Sequence, residues 1–109
     1  MNQLSAETRH CIEEAQRCHS VCLATAMTMC LEMGGEHVRP QHFRLMMDCA
    51  SICQLAADMM AHKSQFHRQT CALCAQVCET CARDCERVGD MEECVAACKA
   101  CAQSCRAMA

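Results

Sequence analysis

The chain is 109 residues long, with a formal net charge of -3, no Trp, no Tyr and two Phe. That is the length of one domain spanning residues 1–109, and its ten basic residues are scattered singly, leaving no electrostatic footprint for a nucleic acid. No run approaches the roughly 18 apolar residues of a membrane helix, and the polar start Met1-Asn2-Gln3-Leu4-Ser5-Ala6-Glu7 lacks a signal peptide's apolar stretch, so the expected location is the cytoplasm.

Four helices are predicted in chain order. The first runs from about Ser5, a suitable N-cap, to about Met33, where Gly34-Gly35 supplies the left-handed backbone that ends a helix. The second starts near Pro40, well placed in a first turn, and runs to about Lys63. The third runs from about Gln69 to Val88, with Gly89 as its stop. The fourth is expected to start after Asp90 as its cap and to run to about Ala107. Short connections make neighbouring helices antiparallel. The expected fold is all-α, an up-down-up-down four-helix bundle.

The composition leaves the core of that bundle short of its usual filling. Leu, Ile, Val and Phe together number only 15, against 15 Cys, 10 Met and 17 Ala. Within each cluster the cysteines step by 3, 4, 7 or 8 residues, spacings that return to one helix face. Cys71, Cys74, Cys78, Cys81 and Cys85 alternate steps of 3 and 4. So do Met91, Cys94, Cys98, Cys101, Cys105 and Met108. These are the inward seam positions of a bundle. The first helix contributes Cys11, Ala15, Cys18, Cys22, Ala26 and Cys30. The second contributes His42, Met46, Cys49, Cys53, Ala56 and Met60. A separate stripe of Leu45, Ile52, Met59 and Phe66, beside Leu55, faces elsewhere. It packs against a neighbouring helix or is covered by another copy of the chain.

Cys is a small hydrophobe, but a seam filled only for packing would use Leu or Ile, without the oxidation risk of thiols. An odd cysteine count argues against a complete disulfide framework, and cytoplasmic thiols stay reduced. A helical import chaperone carries two C-x3-C pairs. Here there are six: 18–22, 49–53, 74–78, 81–85, 94–98 and 101–105. Facing thiolate pairs stacked along a bundle make a tube of sulfur suited to soft metal ions. Closed zinc sites with four thiolates carry two net negative charges each, costly to bury side by side. The loop-borne cysteine spacings of iron–sulfur clusters are absent. Cu(I) is singly charged and selected by thiolate and thioether ligands, and about one ion per thiolate cancels the buried charge.

With these segments in hand, Cys71-x2-Cys-x3-Cys-x2-Cys-x3-Cys85, Cys94-x3-Cys-x2-Cys-x3-Cys105, Cys18-x3-Cys22 and Cys49-x3-Cys53, the chain resembles the cytosolic copper storage proteins over nearly its whole length. The resemblance implies many Cu(I) ions held along the core by the seam cysteines, assembly into a homotetramer, and admission of copper at one open end of the bundle. Ala15 and Ala26 depart from the fullest pattern of that family, at places where the seam could have held Cys.

Antiparallel helices gather Met27, Met29, Met33, Met46, Met47, Met91, His37 and His42 at one end. The other end collects His10, Met59, Met60, His62, His67 and Met108. The Met-rich end is the expected mouth, with Met46, Met91 and His42 as weak ligands there. His19 lies off the seam and is expected to be solvated. No Ser/His/Asp arrangement, phosphate loop or carboxylate pair is readable, so a store is expected rather than an enzyme. A few-ion chaperone, a metal sensor, a zinc store and a thiol redox protein are the competing readings. The metal-free bundle is expected to fold.

Overall fold

The computed structural model describes residues 3–109, and all regular structure among them is helical. Ser5 opens the first helix as its N-cap, its Oγ accepting the Thr8 amide at 3.1 Å. Helix α1 (Ala6–Thr25) continues without a break into a π-helical segment, Ala26–Cys30, and a last α turn, Leu31–Met33. Gly34 and Gly35 take φ of 65° and 56° and turn the chain. A 3-10 segment, Gly35–Val38, then leads into α2 (Pro40–Ala61), followed by α3 (His67–Val88) and α4 (Glu92–Met108).

The π-helical segment was not expected from the spacing, and it has a physical reason. Cys18, Cys22, Ala26 and Cys30 step by fours, and in an α-helix each such step overshoots a full turn by about 40°. Three steps would carry Cys30 off the seam. The wider π turn accommodates an extra residue, and Cys30 stays fully buried. Thr28 Oγ1 donates to the Ala24 carbonyl at 2.7 Å, a local bond that competes with regular α pairing.

One other boundary differs from expectation, and another is reached without a glycine. Asp90 does not cap α4. It sits at φ 58°, following Gly89 at φ 88°, and Met91 is the N-cap instead. Two consecutive left-handed residues complete the tight turn, which Asp tolerates better than most. At the end of α2 the stop is Lys63, at φ 56°. The Ser64 amide donates to the Met59 carbonyl at 2.9 Å, and the Lys63 amide to Met60 at 3.2 Å. This is the Schellman pattern, with Lys where Gly is usual.

Helix α1 packs on α2 and α4, and α3 packs on the same two. The helices therefore form a ring in chain order, antiparallel between neighbours, in a bundle 45 Å long and 21 by 17 Å across. Every cysteine is buried, together with the seam residues Ala15, Ala26, Ala56, His42, Met46, Met60 and Met91. Met108 is only half-buried and packs against the core from its edge. Beside the thiols runs a buried row of alanines, Ala50, Ala57, Ala75, Ala82, Ala97 and Ala102. Side chains this small let helix axes approach toward the short end of the usual spacing of about 8–10 Å.

The second stripe divides. Leu45 and Ile52 pack against the core, while Leu55 and Phe66 are exposed. Phe66 lies beyond α2, as the N-cap of α3. Deleting Thr28 should turn the π segment into α-helix and leave the thiols on both sides of it facing inward. Deleting Arg17 should instead rotate Cys11 by about 100° out of the seam. Reaction of the reduced, metal-free variants with an aqueous thiol reagent should be fast for the Arg17 deletion and slow for the Thr28 deletion.

Candidate metal centre

The spacing that builds the helices also builds the site. Thirteen of the fifteen cysteines make sulfur–sulfur contacts of 3.9 Å or less with another cysteine, in a network joined across all four helices. The shortest contact is Cys22 to Cys94, at 3.3 Å. All the cysteines are free thiols. Four quartets have their sulfurs within 4.8 Å of one another: Cys53/Cys74/Cys78/Cys101, Cys18/Cys49/Cys53/Cys78, Cys18/Cys22/Cys49/Cys98 and Cys22/Cys81/Cys94/Cys98.

Each quartet contains one C-x3-C pair and two thiols from two other helices. The pair is 74–78 on α3, then 49–53 on α2, 18–22 on α1, and 94–98 on α4. Each step moves one place round the ring of helices and toward the Met-rich end. The remaining pairs extend the same course. Cys101–Cys105 on α4 lies below, in contact with Cys11. Cys81–Cys85 on α3 lies above, in contact with Met46 Sδ at 3.9 and 3.5 Å. The six pairs form one spiral stair.

Consecutive quartets share two thiols, so they are not separate cages. Four closed zinc sites would need four thiolates each, more than the shared sulfurs supply. Ala26 explains why Cys30 stands apart, because no sulfur bridges it to Cys22. Ala15 and Ala56 make similar gaps. Cys71 sits against Cys105 and Cys11, which hold its thiol below the ordinary range.

Ionisation follows from the crowding. Hydrogen bonding with Cys18, Cys49, Cys81 and Cys94, together with burial, pushes the Cys22 thiol up. Burial, reinforced by Cys94 and Cys81, does the same to Cys30. Cys49 goes the other way, ringed by thiols of Cys18, Cys22, Cys53 and Cys78 that favour its thiolate against burial. Metal binding here must displace protons from sulfur.

The Met-rich end differs from its opposite. Met46 Sδ also contacts Cys94 at 3.9 Å. Met91 is buried at the start of α4 and lines two surface clefts, one reaching Cys85 and the other Cys94. His42 is buried, with Nδ1 2.6 Å from Asp84 Oδ2. His42 Nε2 and His37 Nδ1 are buried without a hydrogen-bond partner among the described residues. At the other end His10 and His62 are exposed, and His67 is half-buried and bonded to the Ser64 carbonyl at 2.8 Å.

The burial of His37 had no signal in helical spacing, because the residue lies in the 3-10 segment. His19 is not solvated as expected. Its Nδ1 lies 2.7 Å from the Ala50 carbonyl, and the ring is half-buried between α1 and α2.

Comparison with known proteins places the chain. A family model described as "Csp: Copper storage protein" matches residues 4–109. A solved structure from Nitrosospira multiformis is 45% identical, superposes with a TM-score of 0.91, and is matched over 94% of both chains. Cu(I)-bound copper storage protein BsCsp3 is 37% identical, with a TM-score of 0.87 over 94% of this chain and 98% of that one. Apo-Csp3 from Bacillus subtilis is also 37% identical, with a TM-score of 0.77 over 93% and 97%. An uncharacterized cysteine-rich protein of Bacillus subtilis, YhjQ, is 40% identical over 65 residues, 60% of this chain and 59% of that protein. The chain thus spans less than two thirds of the length of that curated relative.

Asp84 generates a pH prediction. Burial works to raise its carboxyl, but the hydrogen bond to His42 and the Arg87 guanidinium outweigh that and hold it below the usual range. A carboxyl depressed in the folded state stabilises the fold above its unfolded pKa of about 3.9. That stability is lost as pH falls through the depressed value. Acid unfolding of the metal-free protein, followed by circular dichroism, should be shallower in Asp84→Asn, which should also cost about 1–2 kcal/mol at neutral pH.

Proposed function

The chain belongs to the copper storage protein family, and we propose that it stores many Cu(I) ions in the cytoplasm along its sulfur stair, admitting them at the Met-bearing end. The carrying observation is the sharing of thiol pairs between stacked quartets. A continuous column suits a cargo of many small, soft cations that bridge neighbouring sulfurs. Discrete sites would suit one or two structural ions. Charge supports the same reading, because a Cu(I) ion replacing each thiol proton leaves the column neutral. A Cu(I)-bound relative with the same fold supports the choice of metal.

All fifteen cysteines are the proposed ligands, with Met46, Met91 and His42 at the mouth. What supports the mouth is the buried, unpartnered imidazole nitrogen of His42 and the clefts that reach Cys85 and Cys94. Thioether and imidazole bind Cu(I) without adding charge, so an ion can be held briefly and passed inward to thiolate. Leu55 on α2, Leu73 on α3 and Phe66 at the N-cap of α3, all exposed, support a self-associated form, here proposed as a tetramer. No catalytic role is proposed.

Anaerobic Cu(I) titration of the reduced protein against a chromophoric chelator is the test. The expected load is close to one ion per thiolate. Saturation at one or two ions would instead identify a chaperone or a sensor, and tight binding of Zn(II) without Cu(I) would overturn the metal. Replacing both Met46 and Met91 by Leu should slow copper uptake severalfold while leaving the final load nearly unchanged. A large drop in load at an unchanged rate would move the mouth to the other end.

A further inference from the structure

Burying an imidazole costs free energy unless its nitrogens are matched, and His42 is matched on one side only. Nδ1 faces Asp84 Oδ2 at 2.6 Å. A carboxylate only accepts hydrogen bonds, so the proton of the neutral ring sits on Nδ1. The opposite tautomer would set two lone-pair atoms against each other at that distance. It would also bury an Nε2–H that has no acceptor. His42 precedes the thioether ligand Met46 by one turn on the same buried face, and Asp84 adjoins Cys85 on α3.

The carboxylate is held in turn. Arg87 Nε donates to Asp84 Oδ1 at 2.9 Å, so both carboxylate oxygens are engaged. Arg87 Nη1 reaches Glu36 Oε1 at 3.0 Å, and Arg39 holds the same carboxylate at 3.2 Å. Glu36 lies in the 3-10 segment beside His37, the other buried imidazole with a free nitrogen. One chain of contacts therefore ties α3 to the ring on α2 and to the segment that carries His37.

We propose that Asp84 is a positioning residue for copper uptake, fixing His42 in the Nδ1–H tautomer so that Nε2 presents its lone pair to a Cu(I) ion arriving at the mouth. The proposal rests on the mouth assignment made above. A carboxylate that orients a histidine ligand raises its basicity and fixes its ring, and its loss typically costs about 10–100-fold in metal affinity or activity. Asp84 does not touch the ion in this arrangement. Its effect is exerted through the ring.

Three variants test this, with two readouts. The His42 tautomer is read in the metal-free protein from long-range proton–nitrogen correlations of the imidazole. Uptake is read by stopped flow from a weak Cu(I)–chelator complex, beside the total load. Asp84→Ala should lose the single tautomer and slow uptake about tenfold, with the load unchanged. Asp84→Asn keeps an acceptor oxygen and should retain the tautomer, with uptake within about twofold of the parent protein. An unchanged tautomer in Asp84→Ala, or an Asp84→Asn variant that keeps the tautomer yet is as slow as Asp84→Ala, overturns the role of Asp84 alone. His42→Ala with unaltered uptake overturns the mouth assignment, whatever the tautomer shows.

Discussion

A core made of thiols is neutral only while each sulfur keeps its proton or exchanges it for a cation. The rest of the molecule follows from that constraint. A protonated cysteine is apolar enough to be buried, so the bundle can close round protonated thiols without leaving charge inside. A divalent ion with four thiolates would bury two net charges at every level. A monovalent ion matched to each thiolate buries none. The same balance that favours burial of protonated thiols therefore favours the cargo proposed.

The stair depends on how closely the helices approach. Cysteine side chains are short, and sulfurs on facing helices meet within 4 Å only if the helices lie close together. The buried alanines beside the seam make that approach possible. They look like filler in the composition, yet they set the distance between thiols. Larger residues at Ala75 or Ala97 would push the helices apart and separate the sulfurs before they disturbed any ligand. The π-helical turn serves the same end along α1. It corrects the angular drift of residues spaced by fours, and it keeps Cys30 in the core despite the gap left by Ala26.

The cysteine spacing made the helices, their inward faces and the pairing of thiols legible from sequence, because a period near 3.6 is a property of covalent spacing alone. What it did not show depends on backbone geometry or on partners distant in the chain. The end of α2 near Lys63 was legible, but not the turn that makes it, in which hydrogen bonds from the Ser64 and Lys63 amides hold Lys63 in the left-handed region without a glycine. The N-cap of α4 shifts from Asp90 to Met91 because Gly89 and Asp90 form the turn between them. His37 lies in a 3-10 segment that helical periodicity does not describe, and His19 finds its partner, the Ala50 carbonyl, on another helix. The stair itself was hidden for another reason. Each helix carries the same motif, and only the relative heights of the four copies turn a set of stripes into a spiral.

Shared pairs have a consequence for how such a column fills. Each level of the stair borrows two sulfurs from the next, so occupation of one level alters the thiols available to its neighbours. Filled as proposed, the column would behave as a one-dimensional lattice with nearest-neighbour coupling, not as a row of independent sites. Its affinity would then be a property of filled stretches and of the boundaries between filled and empty stretches. A partly loaded molecule would carry a moving front between metal and protons, and its position along the bundle would record how much copper the chain holds.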